Sequence, residues 1–258
     1  MIDSHIHLDD PRFDGQRQRV VQQARDVGVD QFVVPATTSA GFDKVASLPQ
    51  QFAGVYVAYG LHPYFIDQHT DEDLQAVAAR LKTRHCVAVG ECGLDFYVPA
   101  LKQQRQRQET LFLAQIELAK QYDMPLIIHA RKAVGRVLAC LQEVGYWQGV
   151  IHSYHASLEQ TRQVLDKGLR VGFGGAATRP NAHKLRQVVA YVPDTALLLE
   201  TDAPDQPPWS HRGEINKPAY LSEIAECIAA IRQQPVVTLV KQTDANARAL
   251  FALPPAGG

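Results

Sequence analysis

His5 and His7 stand two residues apart in the run Ser4-His5-Ile6-His7-Leu8, so on an extended chain both imidazoles project to the same side. Two converging imidazoles can share a divalent cation. Buried side by side without a partner, they would carry a desolvation cost that a metal relieves. Four further residues of metal-binding type close short apolar runs. Glu91 follows Val87-Ala88-Val89-Gly90, His129 follows Pro125-Leu126-Ile127-Ile128, His152 follows Val150-Ile151, and Asp202 follows Leu197-Leu198-Leu199-Glu200-Thr201. Each alone has an ordinary reading. Glu91 is a loop acid, His129 and His152 are hydrogen-bonded core histidines, and Asp202 starts an Asp-Ala-Pro turn. Their recurrence at one point of repeated units makes them a set. A metal held there lowers the pKa of a bound water and stabilises charge on an attacked centre, which is the chemistry of a hydrolase. Four histidines and two carboxylates suit Zn²⁺, Mn²⁺ or Co²⁺ better than Mg²⁺, which prefers an all-oxygen site but is not excluded.

The elements that position these residues follow from periodicity. Strands are expected at Ile2–Leu8, Gln31–Ala36, Gly54–Tyr59, Cys86–Glu91, Pro125–His129, Gly149–Ser153, Leu169–Phe173 and Ala196–Thr201. Between them, segments such as Val20-Val21-Ala24-Val27 place apolar residues three and four apart, as helices do. Strands joined by crossover helices run parallel and are buried on both faces, which accounts for the continuous apolar runs. Eight such units predict a closed (β/α)8 TIM barrel. An open doubly wound sheet is the rival. It would need a glycine-rich fingerprint after the first strand, and it would not gather ligands from strands one, four, five, six and eight. Two final helices, Pro218–Ile231 and Val236–Phe251, are expected to complete the outer layer.

The 258 residues, 46% of them apolar, contain no linker-like stretch and are expected to form one domain over 1–258. A net charge of −1 provides no global field toward nucleic acid or membrane, so an anionic substrate must be attracted locally. Cys86, Cys92, Cys140 and Cys227 form no CxxC pair, and no signal core or membrane span is legible, so a cytoplasmic location is expected. No obligate protein partner is evident.

Beyond these features, Ser4-His5-Ile6-His7-Leu8-Asp9, Gly60-Leu61-His62-Pro63, Gly90-Glu91-Cys92-Gly93-Leu94-Asp95, Leu126-Ile127-Ile128-His129, Val150-Ile151-His152 and Glu200-Thr201-Asp202-Ala203-Pro204 resemble, in order, the motifs of the TatD family. Arg212-Gly213, Asn216-Lys217-Pro218 and the terminal Asn246–Phe251 extend the resemblance over essentially the whole chain. The family belongs to the amidohydrolase-like metal-dependent barrels, and members have been assigned as metal-dependent deoxyribonucleases. The resemblance implies two divalent cations, one held by His5, His7, Glu91 and Asp202 and the other by Glu91, His129 and His152. Glu91 would be the bridge. The chain departs from the family at Ser153-Tyr154-His155-Ala156, where a Cys-Phe-Thr/Ser-Gly type sequence is usual.

Two divalent ions set against Glu91, Asp202 and a bridging hydroxide leave about +1, enough to draw a phosphoester into a near-neutral protein. Asp202 is the expected general base and Glu91 the expected shared catalytic carboxylate. His62 and Arg131 are candidate substrate contacts, Arg131 as a fork for a phosphate oxygen. Glu200, Asp9 and Asp95 are candidates to orient the ligating histidines. Cys92, next to Glu91, should point the other way. The segment Lys102–Glu109 is read as a solvated helix face, since glutamines interrupt its basic residues and no aromatic platform accompanies them. The expected activity is phosphoester hydrolysis, with DNA ends as substrate. The alternatives are hydrolysis of a small amide, lactone or other carbonyl compound, and a non-catalytic metal-binding barrel.

Overall fold

A computed structural model describes residues 1–255. Its strands β1 (Ile2–Asp3), β2 (Gln31–Pro35), β3 (Val55–Tyr59), β4 (Ala88–Asp95), β5 (Leu126–Arg131), β6 (Gly149–Ile151), β7 (Arg170–Phe173) and β8 (Leu197–Leu199) form one parallel sheet in sequence order. Helices α1 (Arg17–Asp26), α2 (Phe42–Gln51), α3 (Asp71–Lys82), α4 (Pro99–Gln103), α5 (Arg105–Tyr122), α6 (Val134–Val144), α7 (Leu158–Asp166), α8 (His183–Tyr191), α9 (Leu221–Arg232) and α10 (Val236–Phe251) fill the connections and the carboxyl-terminal segment. The sheet closes between its first and last strands. Ser4 N donates to Leu199 O at 3.0 Å, Asp202 N to His5 O at 2.9 Å and His7 N to Ala203 O at 2.8 Å. This is the expected TIM barrel, with the backbone amides of the closing edge paired.

Alternation along the strands sorts the side chains into two layers. Phe32, Val34, Val57, Val89, Ile128, Ile151, Val171 and Leu199 face the helices, and Ile6 joins them. Ile2, Val33, Ala58, Ala88, Ile127, Val150 and Leu198 pack together in a second cluster, with Ala247, Leu250 and Phe251 of α10. The end of α10 thus plugs the barrel opposite the site, where only a place in the outer layer was expected.

Regular strand structure differs most from expectation where the site begins. β1 and β8 have only two and three residues in regular pairing, because His5, His7, Thr201 and Asp202 leave the sheet pattern to turn into the mouth. β4 instead runs four residues past Glu91 to Asp95. Its register on β5 slips between Val89 and Cys92, which pair with Leu126 and Ile128. Three residues of β4 therefore span what two of β5 span, and the irregularity carries Glu91 inward.

Lys102–Glu109 is not one solvated face. The chain breaks at Gln104 between α4 and α5, and Gln108 is buried. Gln115, two turns further on, is buried on the same side of α5. Gln108 accepts from Asp95 N at 2.8 Å and donates to Asp95 O at 3.2 Å. Gln115 accepts from Leu61 N at 2.7 Å and donates to Leu61 O at 3.1 Å. The two amides thus fix the backbone at the ends of β4 and β3, beside the site. Among the described residues no helix is long and apolar enough to cross a membrane.

Candidate metal centre

The carboxyl ends of the strands bring His5, His7, Glu91, His129, His152 and Asp202 together around one carboxylate. Glu91 is 2% exposed, and its two oxygens face different partners. Oε2 lies 3.2 Å from His5 Nε2 and 3.3 Å from His7 Nε2. Oε1 lies 2.8 Å from His152 Nε2, 2.8 Å from His62 Nε2 and 3.3 Å from His129 Nδ1. Asp202 Oδ1 completes the first side, 3.6 Å from both His5 Nε2 and His7 Nε2. The rings of His5 and His152 stack with centroids 3.8 Å apart, so the two sides adjoin.

Neighbouring acceptors decide which ring nitrogen is free to bind. Tyr64 N donates to His62 Nδ1 at 2.9 Å. In the neutral ring the proton is then on Nε2, which donates to Glu91. His62 is therefore a hydrogen-bond donor at this centre, although its position beside Glu91 and His129 would also suit a ligand. His129 is the converse. Its Nε2 faces Asp95 Oδ2 at 3.2 Å, leaving the Nδ1 lone pair toward Glu91. Glu200 Oε1 lies 3.7 Å from His152 Nδ1 and accepts from Ser153 N. Asp95 and Glu200 are thus placed as the sequence suggested. Asp9 is near His7, and its charge favours the imidazolium, but its buried Oδ1 has no hydrogen-bond partner.

Sequence reasoning missed Gln206. Its Nε2 donates to Asp202 Oδ2, and its amide is bonded to Ser153 Oγ. A glutamine four residues after the aspartate, in a polar loop, carried no distinguishing signal. Backbone geometry contributes as well. Lys132, Ser153 and Asp202, each just past a strand, have φ of 56°, 45° and 55°. Such left-handed conformations are uncommon outside glycine and cluster where function constrains the chain. Gly93 has φ 130°, and a Cβ there would lie 2.1 Å from His129 O, which is the close approach expected beside Glu91. Cys92 is buried away from the centre, with Sγ 3.5 Å from Ile127 O.

As side chains alone, these groups perturb one another strongly. Burial opposes the Glu91 charge, but the surrounding histidines outweigh it and hold the carboxyl well below its usual range. Burial also opposes a charge on His7, yet the hydrogen bond and charge of Glu91, with Asp202, hold its pKa at about 9. Burial lowers His5 far below its ordinary value and His62 to about 4, while it raises Asp202 to about 6. Several buried polar atoms have no aligned partner, among them Glu91 Oε2 and His152 Nε2. Nitrogen and oxygen donors packed this closely without hydrogen-bond alignment fit a divalent cation well. The chemistry is that of mixed imidazole and carboxylate coordination.

Arg131 stands at the rim, half exposed. Its guanidinium is 4.0 Å from Asp95 Oδ2 and lies over the Tyr97 ring at 4.0 Å.

A family model described as TatD related DNase matches residues 2–252. An uncharacterized metal-dependent hydrolase of Escherichia coli K12, YjjV, is 35% identical over 98% of each chain. The crystal structure of that TatD homologue superposes with a TM-score of 0.94, again over 98% of each chain. A protein of Erwinia billingiae described as a 3'-5' ssDNA/RNA exonuclease, TatD, is 31% identical, covering 98% of this chain and 100% of its own.

Proposed function

Since this chain belongs to the TatD family of metal-dependent hydrolases, we propose that it hydrolyses phosphoester bonds at the ends of unpaired nucleic-acid strands, as the exonuclease relative's description suggests. The observation that carries this reading is the division of Glu91, a single buried carboxylate with His5 and His7 at one oxygen and His129 and His152 at the other. In this reading His5, His7, Asp202 and Glu91 hold one divalent cation, and Glu91, His129 and His152 hold a second. Donor chemistry favours zinc, manganese or cobalt. Bound there, the cations would make water acidic enough to ionise near neutral pH and stabilise charge on a phosphoryl group.

The chain's own groups do the rest. Asp202 takes the proton of the attacking water and passes it to the leaving oxygen. Oδ1 faces His5 and His7, so Oδ2, whose plane Gln206 fixes, is the oxygen left to carry the proton. His62 donates its Nε2–H toward Glu91 Oε1, and once a cation takes that oxygen the same N–H would be free to hold a phosphoryl oxygen. Arg131 offers its guanidinium to a phosphate further out.

The test is cleavage of end-labelled single-stranded DNA by metal-stripped protein reloaded separately with Zn²⁺, Mn²⁺ and Mg²⁺, beside an Asp202→Asn protein. Metal-dependent trimming abolished by the substitution is the expected result. Folded, metal-loaded protein that leaves every strand intact but hydrolyses small esters, lactones or amides would overturn the nucleic-acid reading.

A further inference from the structure

The loops that carry the centre also carry exposed aromatic rings. Tyr97, two residues past β4, is 56% exposed, and Trp209, in the loop ten residues past β8, is 41% exposed. Much of each ring is therefore left uncovered by the fold. Both are held in the same way. Arg131 lies over Tyr97 at 4.0 Å and Arg212 over Trp209 at 4.6 Å, so each ring has a cation near one face. Neither ring sits on a free loop. Tyr97 N donates to Asp95 Oδ1 at 2.9 Å, and the other oxygen of that carboxylate faces His129. Trp209 N donates to Thr178 Oγ1 at 2.8 Å.

Beyond Arg131 the rim is basic. A groove of about 550 Å³ opens between the loops after β5 and β6 and helix α8, lined by Lys132, His155, Ser157 and Lys184 among others. Lys132 and Lys184 are exposed and make no ion pair among the described residues, and Arg179 beside His155 makes none either. In a chain of net charge −1, this is a local concentration of unpaired positive charge around the loops that follow His129 and His152.

We propose that this rim is a binding track for an unpaired nucleic-acid strand, with a base stacked on the Tyr97–Arg131 platform and backbone phosphates laid along Lys132, His155 and Lys184. The proposal rests on the phosphoester reading above and adds which residues outside the metal centre would hold the strand. A ring backed by a guanidinium stacks on the face of any base, whereas paired bases in a duplex keep their faces covered. Unpaired lysines recognise phosphate without regard to sequence. The track therefore predicts preference for single strands and tolerance of sequence. Trp209 with Arg212 provides a second platform of the same construction on the far side of the mouth.

The experiment is fluorescence anisotropy of metal-loaded enzyme with labelled oligothymidylate, its linkages phosphorothioate to slow cleavage. A series carries one abasic position moved along the strand. Wild-type enzyme should lose about fivefold or more in affinity when the abasic position falls on the platform, the scale of one base–aromatic stack. Tyr97→Ala should bind the full strand that much more weakly and be indifferent to the abasic position. Tyr97→Trp should restore both affinity and position dependence. Reversing Lys132 and Lys184 to glutamate should flatten the dependence of log Kd on log salt by about 0.7 for each phosphate no longer neutralised. If wild type binds and trims strands while Tyr97→Ala shows the same affinity and the same abasic profile, the track is wrong and the nuclease reading stands. If wild type neither binds nor trims any strand, both fall.

Discussion

Glu200 occupies space that Gly172 leaves open: a Cβ at position 172 would lie 2.2 Å from Glu200 Oε2. Glu200 is 1% exposed and its other oxygen faces His152, so the glycine on β7 sets the orientation of a histidine on the loop after β6. Gly172→Ala should displace Glu200 and lower affinity for the second cation by about 10- to 100-fold, the usual effect of losing a group that orients a ligand. Calorimetric metal titration checks this. Unchanged binding in the folded variant would show that Glu200 does not govern His152.

Glu91 is the carboxylate shared by both halves of the centre. Glu91→Gln keeps the shape but removes the charge that faces His5, His7, His62, His129 and His152. Metal content by elemental analysis should fall at both positions together. Loss at one position only would contradict the bridging role.

Metal affinity should rise with pH. His7 is held at about 9, and despite burial the surrounding carboxylates raise His152 well above its ordinary value and also raise His129. Protons must therefore leave these histidines on loading, while Asp202 protonates below about 6. Each proton displaced weakens apparent binding about tenfold per unit that pH falls below the pKa concerned. The dependence should therefore already be steep between pH 9 and 6, where more than one histidine proton is displaced, and steeper still below. Chelator competition across this range measures it, and a flat profile would mean that no proton leaves on loading.

Gln108 supports the site from beneath by gripping the backbone of Asp95 on both sides. Gln108→Leu leaves a buried N–H and two carbonyls, those of Asp95 and Leu101, short of a partner. It should cost about 1–3 kcal/mol of stability in denaturant unfolding. It should also loosen His129 and Tyr97, both of which rely on the Asp95 carboxylate. A variant as stable as wild type would assign Gln108 no structural part.

Much of this protein was fixed by local pattern. Short apolar runs alternating with helical periodicity specified the barrel, because each parallel strand buries both faces and so declares itself residue by residue. His5, His7, Glu91, His129, His152 and Asp202 were legible for a related reason. Each ends such a run, and the carboxyl ends of barrel strands converge. What the sequence left open depends on contacts between residues far apart in the chain. The proton position on His62 is set by a neighbouring amide, and the direction of Glu91 by a register slip against another strand. Gln108 and Gln206 look like any surface glutamine until the tertiary structure gives their amides buried partners. Likewise Tyr97 and Arg131, thirty-four residues apart, become one surface only when β4 and β5 pair Asp95 with Arg131. Pattern announces burial and periodicity, but hydrogen-bond partners, tautomers and shared surfaces are properties of neighbours that only folding supplies.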